Sequence, residues 1–186
     1  GLLRGDTVVV AFMTNLGLIK FLEDRGISSV VVPVGDRNVA DAIEAENLSL
    51  GGEASGHVIF RCFAPTGDGI VTALETLAAV RESGLAFSRA LPAYRVFHQL
   101  LRNIPVSRKV PVKSLPHLLK RIRSHSERMK GCGRIVVRYS GTEPLFRIMV
   151  EASSAALVRH ITADLTHAYL HESGQDVRSQ HPAKSR

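Results

Sequence analysis

Two hydrophobic periods alternate along the first half of the chain. Residues 7–12 form an apolar, β-branched run, as a buried strand requires. Leu16, Leu18, Ile19, Phe21 and Leu22 then follow a helical period, and Gly26 is placed to end that helix as a left-handed cap. Residues 29–34 read as a second strand. Asp36 stands where it can cap a helix carrying Val39, Ala42 and Ile43. Residues 48–50 and 58–63 read as two short strands around a polar, Gly-rich loop, and a long helix is predicted over 68–83, stopped by Gly84. The order β-α-β-α-β-β-α is that of an α/β layer domain.

Pro92, Pro105, Pro111 and Pro116 interrupt the middle of the chain, where the periodicity weakens. Beyond it the pattern predicts a strand over 97–105, a helix over 115–129, strands over 134–139 and 145–151, and a helix over 155–170. That is a two-layer α+β module. The boundary falls near Leu91, giving domains at 1–91 and 92–173, and the polar stretch 174–186 reads as a disordered tail. The chain enters directly with Gly-Leu-Leu-Arg-Gly-Asp, without Met, which reads as a cut through a larger protein.

Composition narrows the classes of function. No apolar run approaches the roughly 20 residues that span a bilayer, and residues 1–6 carry no signal-peptide pattern. Cys62 and Cys132 each sit beside apolar residues, so two buried, reduced thiols of a cytoplasmic protein are expected rather than a disulfide. The net charge of +7 suits an anionic small molecule or nucleic acid. With three Tyr and no Trp, the stacking platforms of a single-strand binder are sparse, which disfavours nucleic acid.

Two loops carry chemistry. In Gly51-Gly52-Glu53-Ala54-Ser55-Gly56-His57, glycines flank a carboxylate, a hydroxyl and an imidazole, a set of donors and acceptors that suits a polyol. A plain hairpin with polar tips accounts for the same residues. In Arg138-Tyr139-Ser140-Gly141-Thr142-Glu143-Pro144, closely spaced N–H groups and an arginine fork can hold a phosphate. An ordinary turn is the alternative. Arg147 shares a strand face with Leu145, Met149 and Glu151, and either reinforces the phosphate site or pairs with Glu151. Val34-Gly35-Asp36-Arg37 follows a strand where ligands gather in α/β sheets; Asp36 serves there as N-cap and Arg37 can reach an anion. Thr66-Gly67-Asp68-Gly69 reads as a turn and N-cap opening the long helix.

Taken in order, Val34-Gly35-Asp36-Arg37, Gly52-Glu53-x-Ser55-Gly56-His57, Thr66-Gly67-Asp68-Gly69-Ile70 and Ser140-Gly141-Thr142-Glu143-Pro144-Leu145 resemble the α-D-phosphohexomutase superfamily. Within it they resemble the bacterial phosphoglucosamine mutases, as does Met13-Thr14-Asn15-Leu16-Gly17-Leu18. The resemblance covers the chain to about Leu170. It implies the third and fourth of four domains: a mixed-sheet α/β sugar-binding domain, then a two-layer, TATA-binding-protein-like α+β phosphate-binding domain. It implies that Glu53 and Ser55 bind sugar hydroxyls, that His57 is placed for proton transfer, and that Arg138, Ser140, Gly141 and Thr142 hold the phosphate that is not being transferred.

The family reaction moves a phosphoryl group between the 6- and 1-oxygens of a hexosamine through a phosphoserine and a bisphosphorylated sugar. The family's serine loop and its magnesium-holding Asp-Gly-Asp-x-Asp-Arg loop are both absent from this sequence. The chain alone is therefore expected not to catalyse transfer. The partners implied are a hexosamine phosphate, the N-terminal domains of the same enzyme and, in the full enzyme, a second copy. The alternatives are part of a phosphomannomutase or phosphoglucomutase, or a non-catalytic sugar-phosphate-binding module.

Overall fold

The computed structural model describes residues 3–90 and 93–175. The chain folds into two compact units, Gly1–Val96 and Phe97–Arg186. The expected boundary at Leu91 lies outside the described residues, as does residue 176 onward of the expected tail.

The first unit is a four-stranded mixed sheet in the order β2-β1-β3-β4. Its strands are β1 (Thr7–Ala11), β2 (Ser28–Val32), β3 (Leu50–Gly52) and β4 (Val58–Phe60). β1 runs parallel to β2 and β3, and β4 closes an antiparallel hairpin on β3. Alternation along β1 decides which helix covers which face. Val8 and Val10 pack under Ile19 of α1 (Leu16–Glu23), while Val9 and Ala11 pack under Val39 and Ile43 of α2 (Asp36–Ala45). Asn15 caps α1 by accepting the Gly17 N–H. α3 (Gly69–Ser83) starts at Asp68, whose Oδ1 accepts the N–H groups of Ile70 and Val71 at 2.8 and 2.9 Å, and ends at left-handed Gly84. A short α4 (Phe87–Ala90) follows.

The second unit is a three-stranded antiparallel sheet, β5-β7-β6, of β5 (His98–Pro105), β6 (Gly133–Tyr139) and β7 (Leu145–Ala152). α5 (Pro116–Arg128) and α6 (Ala155–Ser173) pack on one face, where Leu118, Leu165, Phe146, Ile148 and Val150 form one core. The Phe146 ring stacks on Tyr169 at 3.8 Å and 8°. α5 lacks a capping side chain of its own; instead Glu172 of α6 accepts the N–H groups of His117 and Leu118. The fold class expected from sequence, a mixed-sheet α/β unit followed by a two-layer α+β unit, is the one observed.

Four expectations need correction. β3 occupies Leu50–Gly52, two residues later than predicted, so two glycines assigned to the loop belong to a strand. Asp36 does not cap α2: Gly35 occupies the N-cap position, and among the described residues the Asp36 carboxylate accepts only the neighbouring Arg37 N–H. Cys62 is exposed, because β4 stops at Phe60 and the alternation that would bury the thiol stops with it; Cys132 is half-buried, and both are free. Arg147 pairs with Glu143, not Glu151; Glu151 is fully buried and taken by Arg134, its register partner on β6, at 2.7 Å.

Candidate functional site

The β3–β4 hairpin builds the first candidate site. Glu53 N–H donates to the His57 carbonyl at 3.0 Å and Gly56 N–H to the Glu53 carbonyl at 3.1 Å, so the five-residue loop folds back on itself. Gly56 makes this possible with φ +98, a conformation few other residues adopt. The fold-back points three side chains at one another. Ser55 Oγ donates to Glu53 Oε1 at 2.6 Å, His57 Nδ1 lies 3.0 Å from the same oxygen, and Ser55 Oγ and His57 Nδ1 are 3.1 Å apart. The second Glu53 oxygen accepts the Gly35 N–H at 3.2 Å, tying the hairpin to the start of α2.

The Glu53 side chain is only 9% exposed, whereas that of His57 is 57% exposed. Electrostatics follow from this. Hydrogen bonds from Ser55 and then His57 hold the Glu53 carboxyl below its usual range against an opposing cost of burial. The hydrogen bond to Glu53, aided by its charge and that of Asp36, raises the His57 imidazole. A neutral His57 with its Nδ1–H turned to the carboxylate keeps its lone pair on Nε2, which makes no hydrogen bond among the described residues. The arrangement presents a proton-exchanging nitrogen beside an oriented carboxylate and hydroxyl.

The Asp36 and Arg37 side chains make no hydrogen bond to that network among the described residues. They line a cleft of about 630 Å³ between α2 and residues 61–67, together with Arg61 and Gly67. Arg37 is solvated, 3.8 Å from Asp41.

The second candidate site is the β6–β7 turn. Ser140 is buried: its N–H bonds the Leu145 carbonyl at 2.8 Å and its Oγ accepts the Glu143 N–H at 3.3 Å. The N–H groups of Gly141 and Thr142 have no acceptor among the described residues, and both residues are exposed. Arg138 and Arg147 are directly opposed in the β6–β7 register, which puts two guanidinium groups on one face. Like charges at such positions repel, and Arg147 pairs with Glu143. Sequence reading missed Lys109. Its Nζ donates to the Ser140 carbonyl at 2.9 Å, within a segment strapped to the turn by Val106 N–H to Pro144 O and by the Tyr139 hydroxyl to Val110. The basic character of the middle of the chain was its only signal.

Among the described residues no three His, Cys, Asp or Glu side chains cluster to hold a metal ion. The resemblance puts magnesium on a loop outside this sequence, and the described residues offer no such ligand set. No helix of the described residues is long and apolar enough to cross a membrane.

Residues 1–97 match the family model of phosphoglucomutase/phosphomannomutase α/β/α domain III, and residues 101–168 match that of the phosphoglucomutase/phosphomannomutase C-terminal domain. Among curated relatives, a phosphoglucosamine mutase of Rhodospirillum rubrum is 40% identical over 167 residues, 89% of this chain and 37% of the relative. One of Desulforamulus reducens is 44% identical over 161 residues, 87% of this chain and 36% of the relative. The chain thus spans little more than a third of these relatives. The fold is shared with Aspergillus fumigatus N-acetylphosphoglucosamine mutase, with a TM-score of 0.72 at 20% identity over 89% of this chain and 38% of that one. Two consecutive domain models, matched in the order in which the hairpin loop and the turn occur, lead to one conclusion: the chain belongs to the phosphoglucomutase/phosphomannomutase family.

Proposed function

We propose that the chain is the sugar- and phosphate-binding part of a phosphoglucosamine mutase, which interconverts glucosamine 6-phosphate and glucosamine 1-phosphate in the cytoplasm. The observation that carries this reading is the Glu53 carboxylate, nearly buried yet oriented by Gly35, Ser55 and His57 at the tip of a hairpin. A carboxylate so held accepts hydrogen bonds from sugar hydroxyls without reorganising. Ser55 exchanges its bond to Glu53 for one to a hydroxyl. His57 Nε2 takes or returns the proton of the sugar oxygen that gains or loses phosphate. Arg138, Ser140, Gly141 and Thr142 hold the phosphate that stays on the sugar, and Arg147 reinforces them. The glucosamine specificity, rather than that of a phosphomannomutase, is supported by the names of the relatives at 40–44% identity.

Magnesium and the phosphoserine belong, in this reading, to loops outside this sequence, so the chain alone binds without turnover. The test is a calorimetric titration with glucosamine 6-phosphate, glucose 6-phosphate and inorganic phosphate. Saturable binding that ranks glucosamine 6-phosphate first and is weakened in both Glu53→Ala and Arg138→Ala is expected. Equal binding by wild type and both variants would reject the assignment.

A further inference from the structure

A cleft of about 430 Å³ opens in the second unit between the end strand β5 and α6. Leu100 and Arg102 of β5 lie opposite Val150 and Ile148 of β7. Both of those residues are buried in the core under the helices, so Leu100 and Arg102 project on that same face, at its rim. Arg159, Thr162, His167 and Leu170 of α6 form the other wall. Their spacing i, i+3, i+8, i+11 is one helical stripe. Arg147 falls on the alternate positions of β7, so the cleft and the arginine pair beside the β6–β7 turn are on opposite faces of the sheet.

The cleft is charged in one sense. Arg102, Arg159 and His167 line it, and no acidic side chain does among the described residues. Neither guanidinium group makes an ion pair or hydrogen bond to another described residue. Thr162 is 4% exposed, and its Oγ1 is buried without a hydrogen-bond partner among the described residues. Thr72, Thr76 and Thr166, the other threonines within helices, each return the hydroxyl to the carbonyl four residues earlier at 2.7 Å. Thr162 does not. A buried donor left unpaired is costly, and it marks a place where a partner is expected.

We infer that this cleft is a second anion site, for a phosphate monoester carried on an apolar body. Two guanidinium forks from separate elements offer more donors than the two oxygens of a carboxylate accept in one plane. The three terminal oxygens of a phosphate monoester take both forks and the Thr162 hydroxyl. Leu100 and Leu170 flank those donors, so a bare ion would leave apolar wall in water where an apolar body covers it. The volume suits a small organic molecule. A sugar is a poorer body, because the cleft offers no carboxylate or side-chain amide to read its hydroxyls. The inference goes beyond the mutase reading and does not depend on it.

The test titrates the purified chain, carrying Arg138→Ala to weaken the turn, with phenyl phosphate, inorganic phosphate, benzoate and glucose 6-phosphate. Calorimetry reads affinity, and amide NMR shifts read location. Phenyl phosphate should bind saturably and more tightly than the other three, with its largest shifts in β5 and α6. Adding Arg102→Ala/Arg159→Ala should weaken it about 100-fold, since two charged hydrogen-bonding partners are lost. Adding Thr162→Val instead, which keeps the shape of the side chain, should weaken it about five-fold. Circular dichroism should show both variants folded like their parent. No saturable binding, largest shifts at the β6–β7 turn, or either variant binding as tightly as its parent overturns the inference. So does inorganic phosphate, benzoate or glucose 6-phosphate matching phenyl phosphate at the cleft.

Discussion

Gly51→Ala tests whether the hairpin site and α2 are one mechanical unit. Gly51 sits in β3 with Val9 and Ile59 as its register partners, directly beneath α2. A Cβ there would lie 2.7 Å from Val39 Cγ1, 2.8 Å from Ile43 Cδ1 and 2.9 Å from the Val9 carbonyl oxygen. Carbon pairs prefer roughly 3.5–4.0 Å, so both side chains are overlapped by about 1 Å. Ile43 can move its terminal methyl. Val39 cannot rotate away, because a β-branched residue in a helix has essentially one rotamer, and the Val9 oxygen is main chain. Overpacking of this kind costs about 1–3 kcal/mol, and the two rigid contacts put Gly51→Ala at the upper end.

Relief requires α2 to lift off the sheet, which draws Gly35 N–H away from Glu53. Urea unfolding followed by circular dichroism should therefore show a loss of about 2–3 kcal/mol, and sugar-phosphate affinity should fall with it. Gly69→Ala is the control. Nothing lies within 4 Å of its would-be Cβ, and a gain of about 0.4–1 kcal/mol is expected. A Gly51→Ala chain as stable as wild type, or one that loses stability with unchanged binding, would refute the coupling.

Glu53→Gln should lower the His57 titration midpoint, read from its imidazole carbon–proton resonance. A raised histidine contributes stability below its unfolded value of 6.5 that is lost as pH rises through its folded value. A depressed Glu53 contributes stability above 4.5 that is lost as pH falls through its folded value. The pair therefore contributes fully between 4.5 and 6.5 and fades as pH passes either folded value, and an unchanged His57 midpoint in Glu53→Gln would discredit the network. Asp164 is pushed up by burial, but hydrogen bonds from His125 at 2.8 Å and from Arg121 outweigh this and leave it lowered. Asp164→Asn should cost about 0.5–1 kcal/mol at pH 7, discounted for its partial solvent exposure, and nothing once pH falls below the folded value of Asp164; a pH-independent difference in urea midpoint would count against it. Phe146→Ala removes a fully buried ring stacked on Tyr169 and should cost about 3–5 kcal/mol in chemical denaturation, with a loss under 1 kcal/mol contradicting the packing.

The order of elements was legible because β-branched runs, helical spacing and caps agree locally; Asp68 and Gly84 delimit α3 as the residue types require. Features set by a distant neighbour were not legible. Gly51 looks like loop chemistry, and only the crossing of α2 above it explains a glycine in mid-strand. The face of Arg147 follows from alternation, but its partner does not, because the β6–β7 register gives Glu151 to Arg134. Lys109 lies in a stretch without periodicity, so nothing local placed it at the Ser140 carbonyl. The long helix over 68–83 was legible, but nothing local says that Ile70, Leu74 and Leu77 on it are exposed.

The two candidate sites are prepared in opposite ways, and the difference matches the chemistry proposed for each. In the hairpin the polar groups satisfy one another: one Glu53 oxygen serves both Ser55 and His57, and the other serves Gly35. A neutral hydroxyl can enter such a network by exchanging one hydrogen bond for another, so specificity comes from geometry at little cost in net charge. In the turn the N–H groups of Gly141 and Thr142 lack partners among the described residues, and Arg138 faces Arg147 across the strand pair. Those N–H groups suit an anion, and Glu143 pairs with Arg147 at the edge of the turn. Affinity should therefore reside mainly in the turn and discrimination between sugars mainly in the hairpin.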